Sequence, residues 1–377
     1  MKKIYLSPPH LGTDEMKYVQ DAFDSNWIAP VGENITVFQE QLADLLGNHT
    51  GVTVVSSGTA AIHLALIMLG VESGDEVICQ SFTFSASINP ILYQHATPVL
   101  VDSEKDSWNM CPEQLERAIQ TRMKSGKKPK AIILVDLYGM PCNMKELLEI
   151  ANRYEIPVIE DAAEALGSKF DGQACGTFGE MGVLSFNGNK IITASSGGAI
   201  ASKNPEYISQ ASFYAGQSKD PALFYKHSKI GYNYQLSNIL AGIGRGQMHV
   251  LQERIQARRN INAFYRKALA DVEGISFQTE PDERFFSNYW LTTVLLDPKK
   301  IKISPLDVCE KMNAQQIECR PLWNPMHLQP LFKDVHYFGN GVSDELFKQG
   351  ICLPSGSSMS EEDLHKISYQ LSVISKQ

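Results

Sequence analysis

The sequence predicts an α/β protein with a large, mainly parallel sheet and a smaller C-terminal α+β domain. Through the first two thirds of the chain, apolar β-branched runs alternate with helical patterns, which is typical of βαβ units around a buried parallel sheet. After about residue 255, short strands mix with helices instead. Because 377 residues exceed the size at which one core usually stops growing, we expect two domains, residues 1–255 with an N-terminal arm and residues 256–377.

Five apolar runs are predicted as strands of the large sheet: residues 52–55, 76–79, 97–101, 131–136 and 157–160. Between them, three segments carry an apolar face at helical spacing, namely residues 59–69, 112–123 and 144–154. A long helical pattern then runs from about Gln235 and is suited to joining the two domains. In such sheets ligands bind beyond the carboxyl ends of the strands, so the residues that follow these runs are the first candidates for a site.

The C-terminal segment carries the signals of a small α+β domain. Residues 289–296 are interpreted as a strand and residues 305–315 as a helix. Ser360 is predicted to cap a last helix, because its hydroxyl can accept a hydrogen bond from a free amide of the first turn. The three acidic residues that follow it favour the positive end of the helix dipole.

Composition excludes several classes of protein. The formal net charge of −8 argues against a nucleic-acid-binding groove. The longest apolar stretch, residues 60–69, is too short to cross a bilayer, and no apolar segment of a signal peptide follows the first lysines, so we expect a cytoplasmic protein with no membrane partner. The seven cysteines are scattered and never spaced as C-x-x-C, which favours neither a disulfide framework nor a zinc site, and no metal is expected.

Lys190 and Asp161 are the most informative residues. Lys190 lies in a polar loop between two apolar runs, and Asp161 ends the strand before them. A lysine can hold an aldehyde as a Schiff base, and a carboxylate can keep a pyridine nitrogen protonated, so the pair indicates pyridoxal phosphate chemistry. Taken alone, Lys190 could equally be a solvated loop charge and Asp161 a helix N-cap.

The acidic neighbours of Asp161 divide between two faces. Glu160 and Asp161 are consecutive in a strand, so their side chains point to opposite faces and only one can address the site. We choose Asp161, because Glu164, three positions later, could share its face on a helical turn and reach the cofactor's phenolic oxygen.

A phosphate site is predicted where the first strand meets its helix. Ser57, Gly58 and Thr59 offer backbone amides and two hydroxyls at a helix N-terminus, although such a turn is often only an N-cap. Ser185 could supply another hydroxyl. Phe84 follows another strand end and could stack on the pyridine ring, or be an ordinary core aromatic.

These residues resemble the DegT-type sugar aminotransferases of fold type I, which act on nucleotide-linked keto sugars. The resemblance covers essentially the whole chain. Its most specific segments are SGTAAIHLAL, QSFTFSAS, VIEDAAEALGS, GTFGEMGVLSFNGNKIITASSGGA, GYNYQLSNILAGIG, RPLWNPMH and GICLPSGSSMSEEDL.

The resemblance implies pyridoxal 5′-phosphate as cofactor and a role for each matching residue. Lys190 takes the place of the Schiff-base lysine, Asp161 that of the partner of the pyridine nitrogen, and Glu164 that of a glutamine beside the phenolic oxygen. Asn233 matches an asparagine that reaches the phosphate in the neighbouring subunit, which implies a homodimer with shared active sites. The remaining cofactor residues are Ser57, Gly58, Thr59 and Ser185 for the phosphate and Phe84 for the ring.

Within the family, the chain is similar to aminotransferases of bacillosamine and exopolysaccharide pathways. These enzymes transfer an amino group from L-glutamate to the 4-keto carbon of a UDP-linked 2-acetamido-4-keto-2,6-dideoxy sugar. The implied substrate-side residues are Trp27, Ile28, Ala29, Pro30, Arg320, Trp323 and His327. The chain departs from the pattern at Lys219 and Gln235, where relatives have arginine, which puts the recognition of the donor carboxylate or the nucleotide phosphates in doubt.

Other functions stay open at this point. The same cofactor residues suit a C3 keto sugar, or a GDP- or dTDP-linked one. Some relatives dehydrate sugars with histidine at the lysine position, and Lys190 argues against that reaction. A non-catalytic, ligand-binding regulator that keeps the fold is the alternative outside enzymes.

Overall fold

The computed structural model describes residues 3–47 and 49–376. The helices within these ranges, in chain order, are α1 Glu15–Asp24, α2 Glu33–Leu46, α3 Gly58–Met68, α4 Asn89–Tyr93, α5 Pro112–Lys124, α6 Met144–Arg153, α7 Pro205–Ala215, α8 Asn238–Met248, α9 Leu251–Ala268, α10 Pro305–Ala314, α11 Val342–Gln349 and α12 Glu361–Ile374. The strands are β1 Gly51–Val55, β2 Glu76–Gln80, β3 Thr97–Val101, β4 Ala131–Val135, β5 Val158–Asp161, β6 Lys169–Phe170, β7 Gln173–Ala174, β8 Met181–Ser185, β9 Gly198–Ser202, β10 Ile275–Phe277, β11 Phe285–Phe286, β12 Thr292–Leu296, β13 Arg320–Pro321, β14 His336–Phe338 and β15 Gly350–Leu353.

The large sheet has eight strands in the order β1-β9-β8-β5-β4-β2-β3-β14. The ladders from β8 to β14 are all parallel, and β9 pairs antiparallel with both of its neighbours. Every strand except β9 therefore runs the same way. The sheet confirms the predicted α/β class, and apolar side chains cover it on both faces, as its nearly continuous hydrophobic strands require.

Because these strands share one direction, their carboxyl ends lie along one edge of the sheet, and candidate residues lie together there. The strands β1, β2, β4, β5 and β8 all end at this edge, and each is followed or closed by a residue with a polar or aromatic side chain. Ser57, Phe84, Tyr138, Asp161 and Ser185 come from these five strand ends. Residues far apart in sequence thus meet where the edge of an α/β sheet normally binds its ligand.

The C-terminal part contributes to two sheets. Strands β10, β12, β15 and β13 form a separate antiparallel sheet against α9, α10 and α12. In contrast, β14 pairs in parallel with β3 and so belongs to the large sheet. The division at residue 255 remains a prediction, and its outer limits at residues 1 and 377 lie outside the described residues.

The carboxylate of Asp102 fixes the chain beyond β14. Its two oxygens accept hydrogen bonds from the backbone amides of residues 340–343, at 2.7–3.0 Å, and from the hydroxyl of Ser343 at 2.6 Å. Asp102 directly follows β3. One buried carboxylate therefore ties the start of α11 to the edge of the large sheet.

Two predicted elements differ from the observed ones. The long helical pattern after Gln235 forms two helices, because the amides of His249 and Val250 bond three residues back and close α8 before α9 begins. The predicted strand 289–296 starts only at Thr292. The side chains of Ser287 and Asn288 accept from the amides of residues 289 and 290, and Tyr289 has a φ of 46°, so these residues form a turn.

The other sequence-based elements are confirmed closely. Residues 97–101 form β3 as predicted, and Ser57 caps α3 through a hydrogen bond from the amide of Ala60. Ser360 caps α12 in a capping box with Asp363. No helix among residues 3–47 and 49–376 is long and apolar enough to cross a membrane.

Candidate functional site

A cavity of about 840 Å³ opens at the edge of the large sheet where the strands end. Besides strand-end residues, the N-terminal segment 5–9 and the C-terminal residues 290, 291, 318, 320 and 323 form its walls. The predicted site residues that line it are Ser57, Gly58, Thr59, Phe84, Asp161, Glu164, Ser185, Lys190, Arg320 and Trp323. The structure therefore brings most of the predicted cofactor residues together.

Lys190 is directed into this cavity. It lies in the turn between β8 and β9, where its amide bonds to the carbonyl of Asn187 at 3.0 Å. Its Nζ is 3.1 Å from Glu164 Oε1, and the two side chains are only 13% and 5% exposed. The same Nζ lies 4.3 Å from the centre of the Trp290 ring. Lys190 is thus an enclosed amine in an ion pair, which argues against the alternative of a solvated loop charge.

Glu164 is held by a hydrogen bond from Tyr138, a residue with an unusual backbone conformation. Its Oε2 accepts a hydrogen bond from the amide of Tyr138 at 2.8 Å, and Tyr138 is a buried residue with a φ of 57°. A non-glycine residue in this region carries strain, so the surrounding contacts hold it there. Burial raises the pKa of Glu164 above its ordinary value, and the positive charge of Lys190 opposes this shift.

Asp161 is a buried carboxylate with two donors. Ser87 Oγ donates to its Oδ2 at 2.7 Å, and the amide of Ala163 donates to Oδ1 at 3.2 Å. Thr83 Oγ1 lies 2.8 Å from Ser87 Oγ and continues the chain of hydroxyls. Burial raises the pKa of Asp161, and the Ser87 hydrogen bond is the strongest opposing effect. Residues 162–167 form turns rather than a helix, so the N-cap alternative for Asp161 does not apply.

The neighbouring Glu160 lies on the opposite face of β5, as strand geometry requires. It is buried next to Asp136 and Cys175, with the ligand-type atoms of all three within 4.8 Å of one another. Asp136 Oδ2 and Glu160 Oε1 have no hydrogen-bond partner among the described residues, and a proton shared between the two carboxyl groups would satisfy both. Burial raises the pKa of Glu160 well above its usual range and that of Asp136 to about 6.

The start of α3 forms a cradle that suits a phosphate. Ser57, Gly58 and Thr59 line the cavity with the first turn of the helix, where amides lack partners within the helix. A Cβ on Gly58 would lie 3.2 Å from the Cβ of Ser185. A Cβ on Gly198 would lie 2.4 Å from the amide nitrogen of Gly58, so only glycine lets β9 approach the helix this closely.

An aromatic wall faces the cradle. The ring of Trp323 lies 5.5 Å from Phe84, 5.1 Å from Tyr138 and 6.3 Å from Trp290, measured between centroids. The amide of Trp323 donates to the hydroxyl of Tyr138 at 3.0 Å. Phe84 is more than half exposed although it lines the cavity, which leaves a ring face available to a ligand.

Arg320 lies at the mouth of the cavity, and its side chain is 68% exposed. Its Nη2 and Nε bond to Glu318 Oε1 at 2.8 and 3.1 Å. The other oxygen of Glu318 accepts from the amide of Leu6 at 3.0 Å. The guanidinium is therefore held in one orientation while donors remain for an anionic ligand.

His327 does not line the cavity of its own chain, and its role as a substrate-side residue stays a prediction. Its Nδ1 lies 2.7 Å from Ser81 Oγ, its Nε2 lies 2.9 Å from Asp344, and its ring stacks on Tyr337 at 3.7 Å. The ring is thus hydrogen-bonded at Nδ1 and close to a carboxylate at Nε2, both inside the fold. Burial lowers the pKa of His327, which is consistent with a neutral structural ring.

Several predicted residues lie outside the cavity of their own chain. Asn233 is exposed, and Lys219 and Gln235 lie along a separate surface hollow. The segment of Trp27, Ile28, Ala29 and Pro30 is largely exposed and is fixed to α8, since Asn238 bonds to the carbonyls of Trp27 and Ala29.

Sequence reasoning missed four residues that hold the site. Ser87 lies in the same quoted segment as Phe84, but nothing in its spacing distinguishes it from the other hydroxyls there. Tyr138 follows the end of β4, which could have drawn attention to it. Ser7 lies in the family-like segment LSPPH, and Trp290 lies at the start of an apolar run, but neither pattern indicates a contact with the site, because both residues reach it through the tertiary fold.

Comparison with known proteins gives the same picture over the whole chain. The DegT/DnrJ/EryC1/StrS aminotransferase family matches residues 9–372. EpsN of Bacillus subtilis (strain 168), named as a pyridoxal phosphate-dependent aminotransferase, is 50% identical over 370 residues, which cover 97% of this chain and 94% of EpsN. GDP-perosamine synthase of Escherichia coli O157:H7 is 35% identical over 365 residues, covering 97% and 96% of the two chains.

A solved structure supports the fold. The aminotransferase TlmJ from Streptoalloteichus hindustanus superposes with a TM-score of 0.90 at 26% identity, covering 99% of this chain and 98% of TlmJ. The predicted fold type I architecture is thereby confirmed, and the alternative of a non-catalytic regulator is not supported. The chain belongs to the DegT/DnrJ/EryC1/StrS aminotransferase family and is a pyridoxal phosphate-dependent sugar aminotransferase.

Proposed function

We propose that this protein transfers an amino group from L-glutamate to the 4-keto carbon of a UDP-linked 2-acetamido-4-keto-2,6-dideoxy sugar, for the synthesis of a bacterial surface polysaccharide or glycan. The observation that carries the aminotransferase chemistry is the convergence of the Lys190–Glu164 ion pair and the buried Asp161 in one cavity. The 50% identity to EpsN supports the pyridoxal phosphate-dependent amino transfer, and the sugar class rests on the resemblance in sequence. A cytoplasmic location remains a prediction from the sequence.

The residues of the cavity fit pyridoxal phosphate. Ser57, Gly58, Thr59 and Ser185 would hold the phosphate, and the absence of a side chain at Gly58 and Gly198 keeps the cradle compact. Asp161 would face the pyridine nitrogen as a carboxylate held by Ser87. When bound, the cofactor supplies an aldehyde that accepts the amino group and a ring that withdraws electrons.

Lys190 would act twice, as the anchor for the aldehyde and as the general acid–base for the donor's Cα proton. It is the only lysine among the cavity-lining residues within the described ranges. Glu164, 3.1 Å away, would stabilise the ammonium that forms when Lys190 takes up a proton. The aromatic wall around Trp290 and Trp323 limits the access of water to this amine.

The sugar nucleotide would enter at the mouth that Arg320 and Trp323 form. A guanidinium offers a planar, two-pronged donor that suits a diphosphate. Phe84 and Trp323 provide apolar surface for a pyridine or sugar ring. Lys219 and Gln235 do not line the cavity of their own chain, so the effect of the missing arginines depends on a second subunit.

The surface of the chain supports the proposal of a homodimer with shared sites. All residues of the segment 221–230 are exposed, including Leu223, Phe224, Tyr225 and Ile230. Trp27 and Ile28 are also exposed. An apolar surface of this extent is typical of a protein interface. In the dimer, Asn233 and the segment of residues 27–30 would line the partner's cavity.

Mass spectrometry of the reaction products tests the function. The purified protein with pyridoxal phosphate and L-glutamate is given UDP-2-acetamido-4-keto-2,6-dideoxyglucose, and Lys190→Ala serves as the blank. We expect an amino sugar from the wild type alone. Bleaching of the bound cofactor's colour by glutamate without an amino sugar would refute the sugar assignment, and turnover by Lys190→Ala would refute the role of the lysine.

The 35% identity to a GDP-perosamine synthase favours a GDP-linked keto sugar as the second candidate. The same assay with GDP-4-keto-6-deoxymannose distinguishes the two.

The dimer is tested separately by sedimentation of a Phe224→Ser, Ile230→Ser double variant. We expect monomers, and an unchanged dimer would contradict the proposed interface.

A further inference from the structure

The peptide group between Asn189 and Lys190 is held by two donors outside the sheet. The Asn189 carbonyl accepts a hydrogen bond from Ser7 Oγ at 2.6 Å and a second one from Trp290 Nε1 at 2.6 Å. This peptide plane contains the amide nitrogen of Lys190. Fixing the carbonyl therefore fixes the direction in which the Lys190 side chain leaves the backbone.

The two donors are joined behind the loop by Arg258. Its Nη2 donates to Ser7 Oγ at 3.0 Å, and its Nη1 donates to the carbonyl of Trp290. Arg258 is only 1% exposed, and burial lowers its pKa to about 9. No carboxylate among the described residues forms an ion pair with Arg258. Because a buried cation without such a partner is costly, its hydrogen bonds to Ser7 and Trp290 are important for its stability.

Ser7 is itself anchored to the C-terminal part. Ile4 forms a bridge with Ile317, and the carbonyl of Leu6 accepts from the amide of Ser355 at 2.8 Å. The loop of Lys190 has no ladder hydrogen bonds of its own, because residues 187–190 form a turn. The backbone of the lysine loop is thus held by the N-terminal segment and by Trp290, while Glu164 holds the Nζ of Lys190.

We propose that Ser7 is a positioning residue for Lys190, acting through the Asn189 carbonyl together with Trp290 and Arg258. This inference rests on the proposed role of Lys190 in proton transfer. Ser7 Oγ accepts a hydrogen bond from Arg258 and donates one to the Asn189 carbonyl, so it fixes the lysine loop relative to the buried guanidinium. It lowers the barrier to proton transfer by limiting the orientations of the amine.

The test compares Ser7→Ala with Ser7→Thr and Ser357→Ala. Threonine keeps the hydroxyl. Ser357 bonds at 3.0 Å to His10, which directly follows the N-terminal segment, and makes no hydrogen bond to the lysine loop, so Ser357→Ala is the matched control. The first readout is hydrogen exchange of residues 186–192 in the cofactor-free protein, which does not depend on any reaction.

We expect the amide hydrogens of this loop to exchange about fivefold faster in Ser7→Ala, because this factor corresponds to the net free energy of one hydrogen bond. With glutamate as donor, we expect kcat to fall by about the same factor, an unchanged KM and a larger isotope effect from α-deuterated glutamate. Ser7→Thr and Ser357→Ala should match the wild type in both readouts.

The proposal is overturned if Ser7→Ala has the exchange rate and the kcat of the wild type. It is also overturned if Ser7→Ala and Ser357→Ala change these two quantities equally. If the wild type fails to react with glutamate, the proposed function fails. The exchange measurement alone then decides whether Ser7 orders the lysine loop.

Discussion

Replacing Ser87 by alanine tests how the Asp161 carboxylate is held ready for the cofactor. The change deletes the donor at 2.7 Å and leaves the amide of Ala163 at 3.2 Å as the remaining donor to this carboxylate in the structure. Burial already raises the pKa of Asp161, and Ser87 is the main group that opposes it. The substitution therefore raises this pKa further.

The size of the effect follows from the bond that is lost. A hydrogen bond to a charged group contributes about 1.5–3 kcal/mol. The amide of Ala163 stays, so we expect a value near the lower end, which corresponds to about a tenfold weaker affinity for pyridoxal phosphate. A carboxyl with a raised pKa keeps its proton to higher pH, and the protonated form cannot hold a pyridinium as an ion pair. The loss should therefore grow as the pH falls.

The assay is a titration of cofactor-free protein with pyridoxal phosphate across the mildly acidic to mildly alkaline range. Thr83→Val is the control, because it removes the hydroxyl next to Ser87 without touching Asp161. We expect a smaller loss in that variant. Wild-type affinity of Ser87→Ala at every pH would refute the reasoning.

Two further predictions concern the scaffold of the site. Glu160→Gln replaces a carboxyl whose pKa is raised by an amide that can still donate to Asp136. The raised pKa of Glu160 contributes stability that is lost as pH rises from the ordinary pKa toward the folded one. The free energy of unfolding of the variant, measured by urea denaturation without cofactor, should therefore fall less steeply with pH, by up to about 1.4 kcal/mol per pH unit, and an unchanged slope would contradict a shared proton. Gly198→Ala places a Cβ 2.4 Å from the backbone of Gly58 and should lower the free energy of unfolding by about 1–3 kcal/mol. Gly58→Ala, whose nearest contact is 3.2 Å, should lower it by less. The reverse order in urea denaturation would contradict this account of the cradle.

Sequence patterns were sufficient for the parts of the fold that repeat. Parallel strands buried on both faces have a strong apolar signal, and their common direction places the residues after each strand at one edge. Ser57, Asp161, Ser185 and Lys190 could be located in this way. The resemblance to a family then suggested their roles, which the geometry alone does not assign.

The residues that escaped prediction depend on tertiary contacts. The turn at residues 287–290 shortens β12 through local side-chain hydrogen bonds, which an apolar run such as YWLTTVLL conceals. That turn is also what presents Trp290 to Lys190. His327 also lies in a family-like segment, and its ring contacts Ser81, Asp344 and Tyr337 instead of the cavity of its own chain.

The strand β14 has a mechanical consequence for how the cavity can open. The chain leaves the small antiparallel sheet after β13, adds β14 to the edge of the large sheet, and returns through β15, while Asp102 holds the amides of residues 340–343. A hinge that swings the C-terminal part away as one body must break this ladder and strip the buried carboxylate of its donors. We therefore expect the cavity to open through small local movements at its rim, with the C-terminal part staying in place while a sugar nucleotide enters.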